Sequence, residues 1–371
     1  MKKITMKTMV CLLVLWVSVT MVFAGQGNGN GHGYGLLKQK LNAYFERLEA
    51  EEYFSGSVLV AKHGKVLLQA GYGMANIEEG IKNKANTVHA IASMTKAFTA
   101  ASIMMLIERG LINLNDTVDM YVPELPVGNQ ITIHHLLNHT SGLFEYTYNP
   151  DVWDNMDKFH TPEQVLAYFI DQPLQFTPGT QWEYCNSGYI TLGIIIERVS
   201  GLSYRDFIRA NILNPLKMRN TGYDPYDQEF PYKAIGYDDI SVDPPLRSPY
   251  LHPTIPYSCG AIYSTVKDLY TWDQSFYTEK LLSAQSIALM VTPGLGDYGY
   301  GWYIDNLDVQ GQLHRHVWHW GAYVGFHSYF SRLVDDDITI ILLLNTSPVL
   351  GTQDELKPYI QDVVELLFEN N

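Results

Sequence analysis

The sequence is short of positive charge and of cysteine. It has 371 residues, with 25 lysines and arginines against 39 aspartates and glutamates, so its formal net charge is −14. Because an acidic surface repels phosphate groups, we expect no nucleic-acid partner. Three cysteines are too few to hold a disulfide-rich fold together. Charged residues make up only 17 % of the chain and hydrophobic residues 46 %, which excludes a disordered protein.

The sequence also lacks internal repeats, and its one long apolar run lies at the N-terminus. Lysines precede an apolar stretch from Met9 to Phe23, and Ala24 provides the small residue of a cleavage site. This pattern predicts a secretory signal peptide at residues 1–24, and therefore a secreted or extracytoplasmic protein, in the periplasm or at the cell surface. The alternative is an uncleaved signal segment, which would be the protein's only contact with a membrane.

The rest of the chain is predicted to form a short linker and one folded unit. Residues 25–35 (GQGNGNGHGYG) alternate glycine with mostly polar residues, which predicts a flexible tether. Residues 36–371 are predicted to form the folded domain. It contains Cys185 and Cys259, and their positions in the sequence do not determine whether they form a disulfide.

The predicted elements indicate a sheet built from both ends of the chain. An amphipathic helix ends near Glu52, and two strands follow at residues 57–62 and 65–69. Strand patterns return near the C-terminus, at residues 326–334 and 338–345, and a final amphipathic helix closes the chain.

Helices are predicted for most of the middle of the chain. Residues 97–107 are apolar on all sides, so we expect a helix buried at the centre of the fold, and residues 188–199 are similar. The predicted fold class is therefore α/β of the α+β type. An antiparallel sheet from roughly residues 36–85 and 295–371 is flanked by helices, with a mostly helical domain inserted between the two parts.

The first candidate for chemistry is Ser93-Met94-Thr95-Lys96, at the start of the apolar helix. Residues three apart share a helix face, so the Lys96 amine is expected to reach the Ser93 hydroxyl. A serine needs a base to take its proton before it attacks, and a buried lysine that has lost its charge can be that base. The alternative is an N-cap serine followed by an unrelated lysine.

The second candidate is Tyr184-Cys185-Asn186. Tyr184 could relay a proton if neighbouring cations lower its pKa, and Asn186 can both donate to and accept from a substrate amide. The alternative is a turn at Asn186 with Tyr184 in the core. Cys185 is a further possible nucleophile, although a packed thiol is the simpler interpretation.

The third candidate is His319-Trp320-Gly321-Ala322, where strand patterns return. Gly321 would let a substrate approach the backbone closely. The backbone N–H groups of Ala322 and Ser93 could then hold an oxyanion. The alternative is an ordinary strand end with a packed histidine.

In this order the three motifs resemble the serine β-lactamase and penicillin-binding-protein-like hydrolases. The closest branch is related to class C β-lactamases and includes D-alanyl-D-alanine carboxypeptidases, D-aminopeptidases and esterases. Its S-x-x-K, Y-x-N and K/H-x-G elements are matched by SMTK, YCN and HWG. Further similar segments are HHLLNHTSGL at 134–143, CGAIYSTVKDL at 259–269 and WGAYVGFHSYF at 320–330. The resemblance covers roughly residues 36–371 and implies a β-lactamase/transpeptidase-like fold with its site in a cleft against the helical part.

The resemblance implies a role for each motif residue. Ser93 becomes the acylated nucleophile, Lys96 and Tyr184 share the proton transfers, and Asn186 orients the substrate amide. Tyr184 protonates the leaving group, with His319 as a second candidate donor. No metal or organic cofactor is implied.

One departure from the family bears on the substrate. Lysine-type relatives follow the cation with a hydroxyl residue that helps to bind a substrate carboxylate. Here His319, Trp320 and Gly321 are the implied substrate-binding triplet. A histidine is mostly neutral near pH 7, and an indole has only one N–H to donate. We therefore do not expect an efficient β-lactamase. The expected partner is a small D-amino-acid peptide or a carboxylic ester, with cell-wall peptidoglycan as one candidate.

Two other functions remain open at this stage. His314, His316 and His319 form H-x-H-x-x-H, which suggests a zinc hydrolase, but on a strand His319 would point away from the other two. A binding or sensing protein that has kept the fold without catalysis is the second alternative, because fold does not determine function. No serine has glycine two positions away on both sides, which argues against an α/β-hydrolase elbow.

Overall fold

The computed structural model describes residues 31–223, 232–346 and 356–369. The predicted signal peptide and residues 25–30 of the predicted tether lie outside this part of the chain. Residues 31–35 differ from the prediction, because the first helix already begins at Gly31 and includes them. The glycines between 31 and 35 are thus compatible with a helix whose next turns carry the buried Leu37 and Leu41.

The described strands form one large antiparallel sheet and three small two-stranded ribbons. In chain order they are β1 (Gly56–Lys62), β2 (Lys65–Tyr72), β3 (Met74–Asn76), β4 (Ile81–Lys82), β5 (His89–Ala90), β6 (Tyr237–Asp239), β7 (Leu246–Arg247), β8 (Tyr263–Ser264), β9 (Tyr303–Val309), β10 (Gln312–Tyr323), β11 (Phe326–Leu333) and β12 (Ile338–Leu344). The large sheet has the order β2-β1-β12-β11-β10-β9, and the ribbons pair β3 with β4, β5 with β8, and β6 with β7. The predicted sheet from both chain ends is confirmed.

The described helices surround this sheet. In chain order they are α1 (Gly31–Ala50), α2 (Thr95–Glu108), α3 (Ile133–Leu137), α4 (Pro150–Asp154), α5 (Pro162–Leu166), α6 (Asn186–Ser200), α7 (Tyr204–Ile208), α8 (Asn214–Leu216), α9 (Tyr257–Gly260), α10 (Val266–Ser275), α11 (Ala284–Met290) and α12 (Lys357–Phe368). Short 3₁₀ turns lie at Ala92–Met94, Val118–Met120, Gly128–Gln130, Tyr146–Tyr148 and Leu295–Asp297, and a π turn at Arg209–Leu213.

Both faces of the sheet are covered, because neighbouring residues of a strand point to opposite sides. Val60 of β1 packs into a core with α1 and α12, whereas its neighbour Leu59 packs into the larger core that contains α2, α6 and α10. Every residue of β1 and β12 is buried, as expected for central strands with helices on both faces. None of the helices within the described residues is long and apolar enough to cross a membrane.

The helix α2 lies in the larger core and directly follows the short turn that contains Ser93. Its residues from Thr95 to Leu106 are all buried, which confirms the central helix predicted for 97–107. The second predicted helix corresponds to α6, which ends at Ser200 and is capped by Gly201 in the left-handed conformation (φ +70°). The S-x-x-K and Y-x-N motifs lie at the starts of these two helices and meet there, since the Lys96 Nζ donates to the Asn186 Oδ1.

Candidate active site

Ser93 lies in the 3₁₀ turn that leads into α2, and its side chain is half-buried. The strand segment before it is held on both sides. The Ile91 N–H donates to the carbonyl of Ile262 at 2.9 Å, and the Ser328 hydroxyl donates to the Ile91 carbonyl at 2.8 Å. The turn itself requires a left-handed Ala92 (φ +48°), a conformation that costs energy for a residue with a Cβ. Ser93, the predicted nucleophile, thus lies on an anchored, strained turn.

Lys96 is fully buried beside Ser93. Its Nζ lies 3.1 Å from the Ser93 Oγ, 2.8 Å from the Asn186 Oδ1 and 2.9 Å from the Cys259 carbonyl. Burial lowers the pKa of this amine to about 8. The oxygens of Asn186 and Cys259 can only accept, so a neutral amine gives its two N–H groups to them and directs its lone pair toward Ser93. Lys96 is therefore placed to take the serine proton.

Tyr184 completes the proton-transfer group. Its ring centroid lies 4.7 Å from the Lys96 Nζ. Burial raises the pKa of the phenol well above its usual value, and a hydrogen bond with Ser93 only partly opposes this effect. The expectation that neighbouring cations lower the Tyr184 pKa is therefore wrong, because burial outweighs them. A phenol that keeps its proton can serve as the donor to a leaving group and be recharged by Lys96.

Asn186 begins α6 and links Lys96 to a carboxylate that the sequence did not reveal. While its Oδ1 accepts from Lys96, its Nδ2 donates to the Glu145 Oε1 at 3.1 Å, and its backbone N–H donates to the same carboxylate. Glu145 is buried and also accepts from the Thr147 hydroxyl at 2.8 Å. These bonds fix which end of the Asn186 amide faces Lys96. Glu145 follows the HHLLNHTSGL segment by two residues, and the similarity of that segment to the family was the one indication in the sequence that this region lies near the site.

His319 lies on β10 and is fully buried. Its Nδ1 donates to the Trp320 carbonyl at 2.6 Å, and its Nε2 accepts from the Tyr298 hydroxyl at 3.0 Å. Burial and the nearby charge of Lys96 lower its pKa to about 3, so the ring is neutral. The expected neutrality agrees with the structure. The ring has no N–H left for a leaving group, so the suggestion that His319 helps to protonate it is wrong.

Trp320 and Gly321 occupy different surroundings. The half-buried Trp320 packs against the core that contains α1 and α12, on the face of the sheet opposite His319. A Cβ on Gly321 would lie 2.6 Å from the Ile91 carbonyl oxygen and 2.8 Å from the Ala92 Cβ. The expectation that Gly321 makes room for substrate is corrected here: it makes room for the turn that carries Ser93. Ala322, which follows it, is exposed, and its role as an oxyanion donor stays a prediction.

His139 is a second buried residue whose place the sequence analysis did not identify. It has a left-handed backbone (φ +60°), and its Nδ1 accepts from the Cys185 N–H at 3.1 Å. Its ring centroid lies 4.4 Å from that of Tyr184 and 4.5 Å from that of Tyr298. Burial lowers its pKa well below the usual value, with the charge of Lys96 adding to the effect. The His139 ring is therefore neutral, and it packs against the ring of Tyr184 and helps to hold it in place.

The histidines of the zinc alternative bind separate partners. His314 lies 2.7 Å from an Asp336 oxygen, and His316 lies 2.9 Å from an Asp305 oxygen. His319 bonds instead to Tyr298 on the other face of the sheet, as the strand pattern predicted. Within the described ranges, no group of three or more histidine, cysteine or acidic side chains could hold a metal ion.

Both cysteines of the folded domain are free and buried. The Cys185 thiol donates to the Leu143 carbonyl at 3.4 Å, and the Cys259 sulfur lies 3.8 Å from the Tyr146 hydroxyl. Burial raises the pKa of Cys185 well above its usual value. This disfavours the thiolate that a nucleophile would need, so Cys185 is a packing residue.

Comparisons with known proteins agree with this geometry. A family model described as Beta-lactamase matches residues 41–365. Penicillin-binding protein 4* of Bacillus subtilis (strain 168) is 32 % identical over 330 residues, which cover 83 % of this chain and 72 % of that protein.

Solved structures show the same fold. The octameric penicillin-binding protein homologue from Pyrococcus abyssi is 30 % identical with a TM-score of 0.74, covering 89 % of this chain and 76 % of that one. The D-amino acid amidase from Ochrobactrum anthropi SV3, in complex with L-phenylalanine amide, has a TM-score of 0.77 at 22 % identity. It covers 90 % of this chain and 98 % of its own, and shows a shared fold. The chain belongs to the β-lactamase family, whose members are serine hydrolases, and penicillin-binding proteins are among its relatives.

Proposed function

We propose that this protein is an exported serine acyl hydrolase that works through an acyl-enzyme on Ser93. The observation that carries the proposal is the 3.1 Å contact between the Ser93 Oγ and a fully buried Lys96 whose pKa is lowered to about 8. A buried amine of this kind is a base near neutral pH. Of the three oxygens around it, only the Ser93 hydroxyl, at 3.1 Å, carries a proton that the amine can take. Export rests on the predicted signal peptide.

The proposed reaction has two acyl transfers. Ser93 passes its proton to Lys96 as its Oγ attacks the substrate carbonyl, and the N–H groups of Ser93 and Ala322 hold the oxyanion. Tyr184 gives its proton to the leaving amine or alcohol, and Lys96 returns a proton to Tyr184. Water then attacks the acyl-enzyme by the same route in reverse, which frees the acid and restores Ser93.

The substrate we favour is an amide or ester of a D-amino acid or of another small acid. The names of the relatives support D-amino-acid chemistry, since one is an amidase for D-amino acids and others bind penicillin. The position of His319 disfavours a carboxylate beside the scissile bond, because a neutral ring whose N–H is already bonded cannot pair with an anion. A carboxypeptidase-like activity on cell-wall peptides is therefore second to an amidase or esterase activity.

The test is hydrolysis of p-nitrophenyl acetate and of D-phenylalanine amide by the purified protein and by Ser93→Ala. Ser102→Ala is the matched control, because Ser102 also lies on α2 and its hydroxyl donates to the Phe98 carbonyl at 2.8 Å, away from the site. We expect hydrolysis to be lost in Ser93→Ala, kept in Ser102→Ala, and unchanged by a chelator. Hydrolysis that persists in Ser93→Ala would refute the mechanism. No hydrolysis in any of the proteins would favour a binding or sensing role.

A further inference from the structure

A groove beside the candidate active site carries an inference of its own. We propose that it binds the anionic part of an extended substrate, as a phosphate or carboxylate group. The groove has a volume of about 990 Å³, and its lining includes Ala90 and Tyr323. Ala90 lies three residues before Ser93, and Tyr323 directly follows Ala322. Since consecutive residues are about 3.8 Å apart, the groove opens within reach of the proposed acyl-enzyme.

The floor of the groove is apolar and built largely from small residues. Ala75, Ala234 and Phe326 form a separate small core, against which Ala90 and Tyr323 pack, and all five line the groove. One wall is fixed to the end of β10, since the Tyr323 hydroxyl donates to the Leu251 carbonyl at 2.8 Å. Small side chains on the floor and a fixed wall keep the groove wide enough for a ligand with an apolar body.

The rim of the groove has the opposite charge to the rest of the molecule. Among the described residues, Lys82, Lys84, Lys233 and Arg247 line the rim, and Glu79 supplies the one carboxylate. In the whole chain acidic residues outnumber basic ones by 39 to 25, so chance would not favour four cations here. A cleft lined by one sign of charge concentrates ligands of the opposite sign.

Two of these cations are available to a ligand. Lys82 and Lys84 are exposed, and within the described residues neither is found in an ion pair. Arg247 is partly engaged. The Glu78 carboxylate, whose pKa is lowered first by a hydrogen bond from Tyr237, is also stabilised by the charge of Arg247. The lysines therefore supply most of the attraction, and because they are exposed it must weaken with salt.

The inference rests on the proposed function in one respect, because it is the acyl-enzyme at Ser93 that makes the bound molecule a substrate. Binding itself needs no turnover. The measurement is therefore made on the full chain carrying Ser93→Ala, so that the site cannot consume the probe. The probes are a short linear polyphosphate and a decapeptide of D-glutamate, which separate phosphate from carboxylate as the preferred anion. Affinity is measured by fluorescence anisotropy at low and at physiological salt.

The groove variant is Lys82→Gln/Lys84→Gln. Its matched control is Lys38→Gln/Lys280→Gln, which changes the net charge equally at two exposed lysines outside the groove. We expect the groove variant to weaken binding of at least one probe by about tenfold, given what two exposed ion pairs contribute, and the control by less than about twofold. Equal losses in both variants, or no binding of either probe to the parent protein, would overturn the inference.

Hydrolysis of p-nitrophenyl acetate separates this inference from the proposed function. The ester is too small to span from Ser93 to the rim of the groove, so the groove variant with Ser93 intact should hydrolyse it at the parent rate. Probe binding without hydrolysis would leave the groove assignment standing and remove the proposed function. Hydrolysis without probe binding would do the reverse.

Discussion

The chemistry at Ser93 depends on how Lys96 is surrounded. Two of its three neighbours are carbonyl-type oxygens, from Asn186 and Cys259, which accept hydrogen bonds and give no proton back. Desolvation lowers the pKa of Lys96, because an ammonium group loses more hydration energy than an amine when it is buried. The result is a lysine that can exchange its proton with Ser93 near neutral pH.

This environment predicts the pH dependence of the reaction. Lys96 is a base only when neutral, so kcat/KM for p-nitrophenyl acetate should rise with pH through a midpoint near 8, the pKa of the buried amine. The raised pKa of Tyr184 keeps the phenol protonated over the same range, so no falling limb is expected there. A rate that falls as the pH rises through this midpoint would contradict Lys96 as the base.

The charge of Glu145 provides a second test at the residue scale. Burial sets the direction of the Lys96 shift, and the negative charge of Glu145 opposes it by raising the pKa. Glu145→Gln keeps a hydrogen-bonding side chain but removes the charge, so the midpoint of the pH profile should move to lower pH. A shift of at least about half a unit is expected for the loss of a nearby opposite charge.

The control for this test is Glu183→Gln, since Glu183 is exposed although it precedes Tyr184 in the sequence. Its pH profile should match that of the parent protein. If Glu145→Gln leaves the midpoint unchanged while folding normally by circular dichroism, the carboxylate does not act on Lys96.

The sequence predicted residues that meet at the candidate site, but not those that hold them in place. Ser93 and Lys96 are three residues apart, so the helical repeat alone brings them together. Glu145 and Asn186 are 41 residues apart and meet only because a loop folds over the start of α6. No local pattern encodes such a contact. The prediction of a lowered pKa for Tyr184 was wrong for the same reason, since the burial that raises this pKa is a property of the whole fold.

At the scale of elements, the site depends on how closely β10 approaches the turn before α2. The strand passes so near that a Cβ on Gly321 would meet the Ile91 oxygen at 2.6 Å and the Ser328 Oγ at 2.7 Å. Contacts this short force backbone to move. Any such movement would shift Ala322, the next residue, relative to Ser93 and disturb the proposed oxyanion hole.

Gly321→Ala should therefore lower both activity and stability. We expect a loss of about 1–3 kcal/mol in the free energy of unfolding, as for other overpacked sites, and a fall in kcat of at least about tenfold. Urea denaturation and ester hydrolysis measure the two effects. The control is Gly35→Ala on α1, where a Cβ meets nothing within 4 Å, and it should be neutral or slightly stabilising. Full activity in Gly321→Ala would show that the close approach is not needed.

The positions of helices and strands were easier to predict than the roles that their residues play in the site. The strands at 326–334 and 338–345 are observed as β11 and β12 within a residue at each end. The apolar run ITIILLL of β12 is typical of a strand that is buried on both faces. The pattern of residues 162–170 is also typical of a helix, but α5, which begins with a capping box of Thr161 and Gln164, ends at Leu166. The role predicted for Gly321 was wrong because a glycine in a sequence indicates a close contact with its backbone, but does not indicate whether a substrate or another part of the chain makes that contact.

At the scale of the whole molecule, a buried ion pair joins a helix of the middle part of the chain to the C-terminal strands of the large sheet. Arg332 on β11 and Asp273 on α10 lie 2.6 Å apart, and both are almost fully buried. The Asp273 carboxylate also accepts from the Thr339 hydroxyl at 2.8 Å. The aromatic rings of Phe276 and Tyr277 cover the guanidinium group. This group of contacts ties the helix to two strands of the sheet.

Removal of Asp273 should destabilise the fold strongly. Asp273→Ala leaves the Arg332 charge buried without a partner, which costs about 3–5 kcal/mol of unfolding free energy. The matched surface pair is Arg198 and Glu124, where both side chains are about one-third exposed. Glu124→Ala should cost less than about 1 kcal/mol. Chemical denaturation measures the free energy of unfolding of the two variants. Equal losses of this free energy would mean that the buried pair does not stabilise the packing of α10 on the sheet.

The central claim is that Ser93 carries the acyl group, and mass spectrometry tests it most directly. The protein is mixed with p-nitrophenyl acetate, quenched with acid within the first turnover, digested and mapped. The account predicts one acetyl group, on the peptide that contains Ser93, and none in Ser93→Ala. An acetyl group on Cys185 or another side chain, or turnover with no covalent adduct at any time, would contradict it.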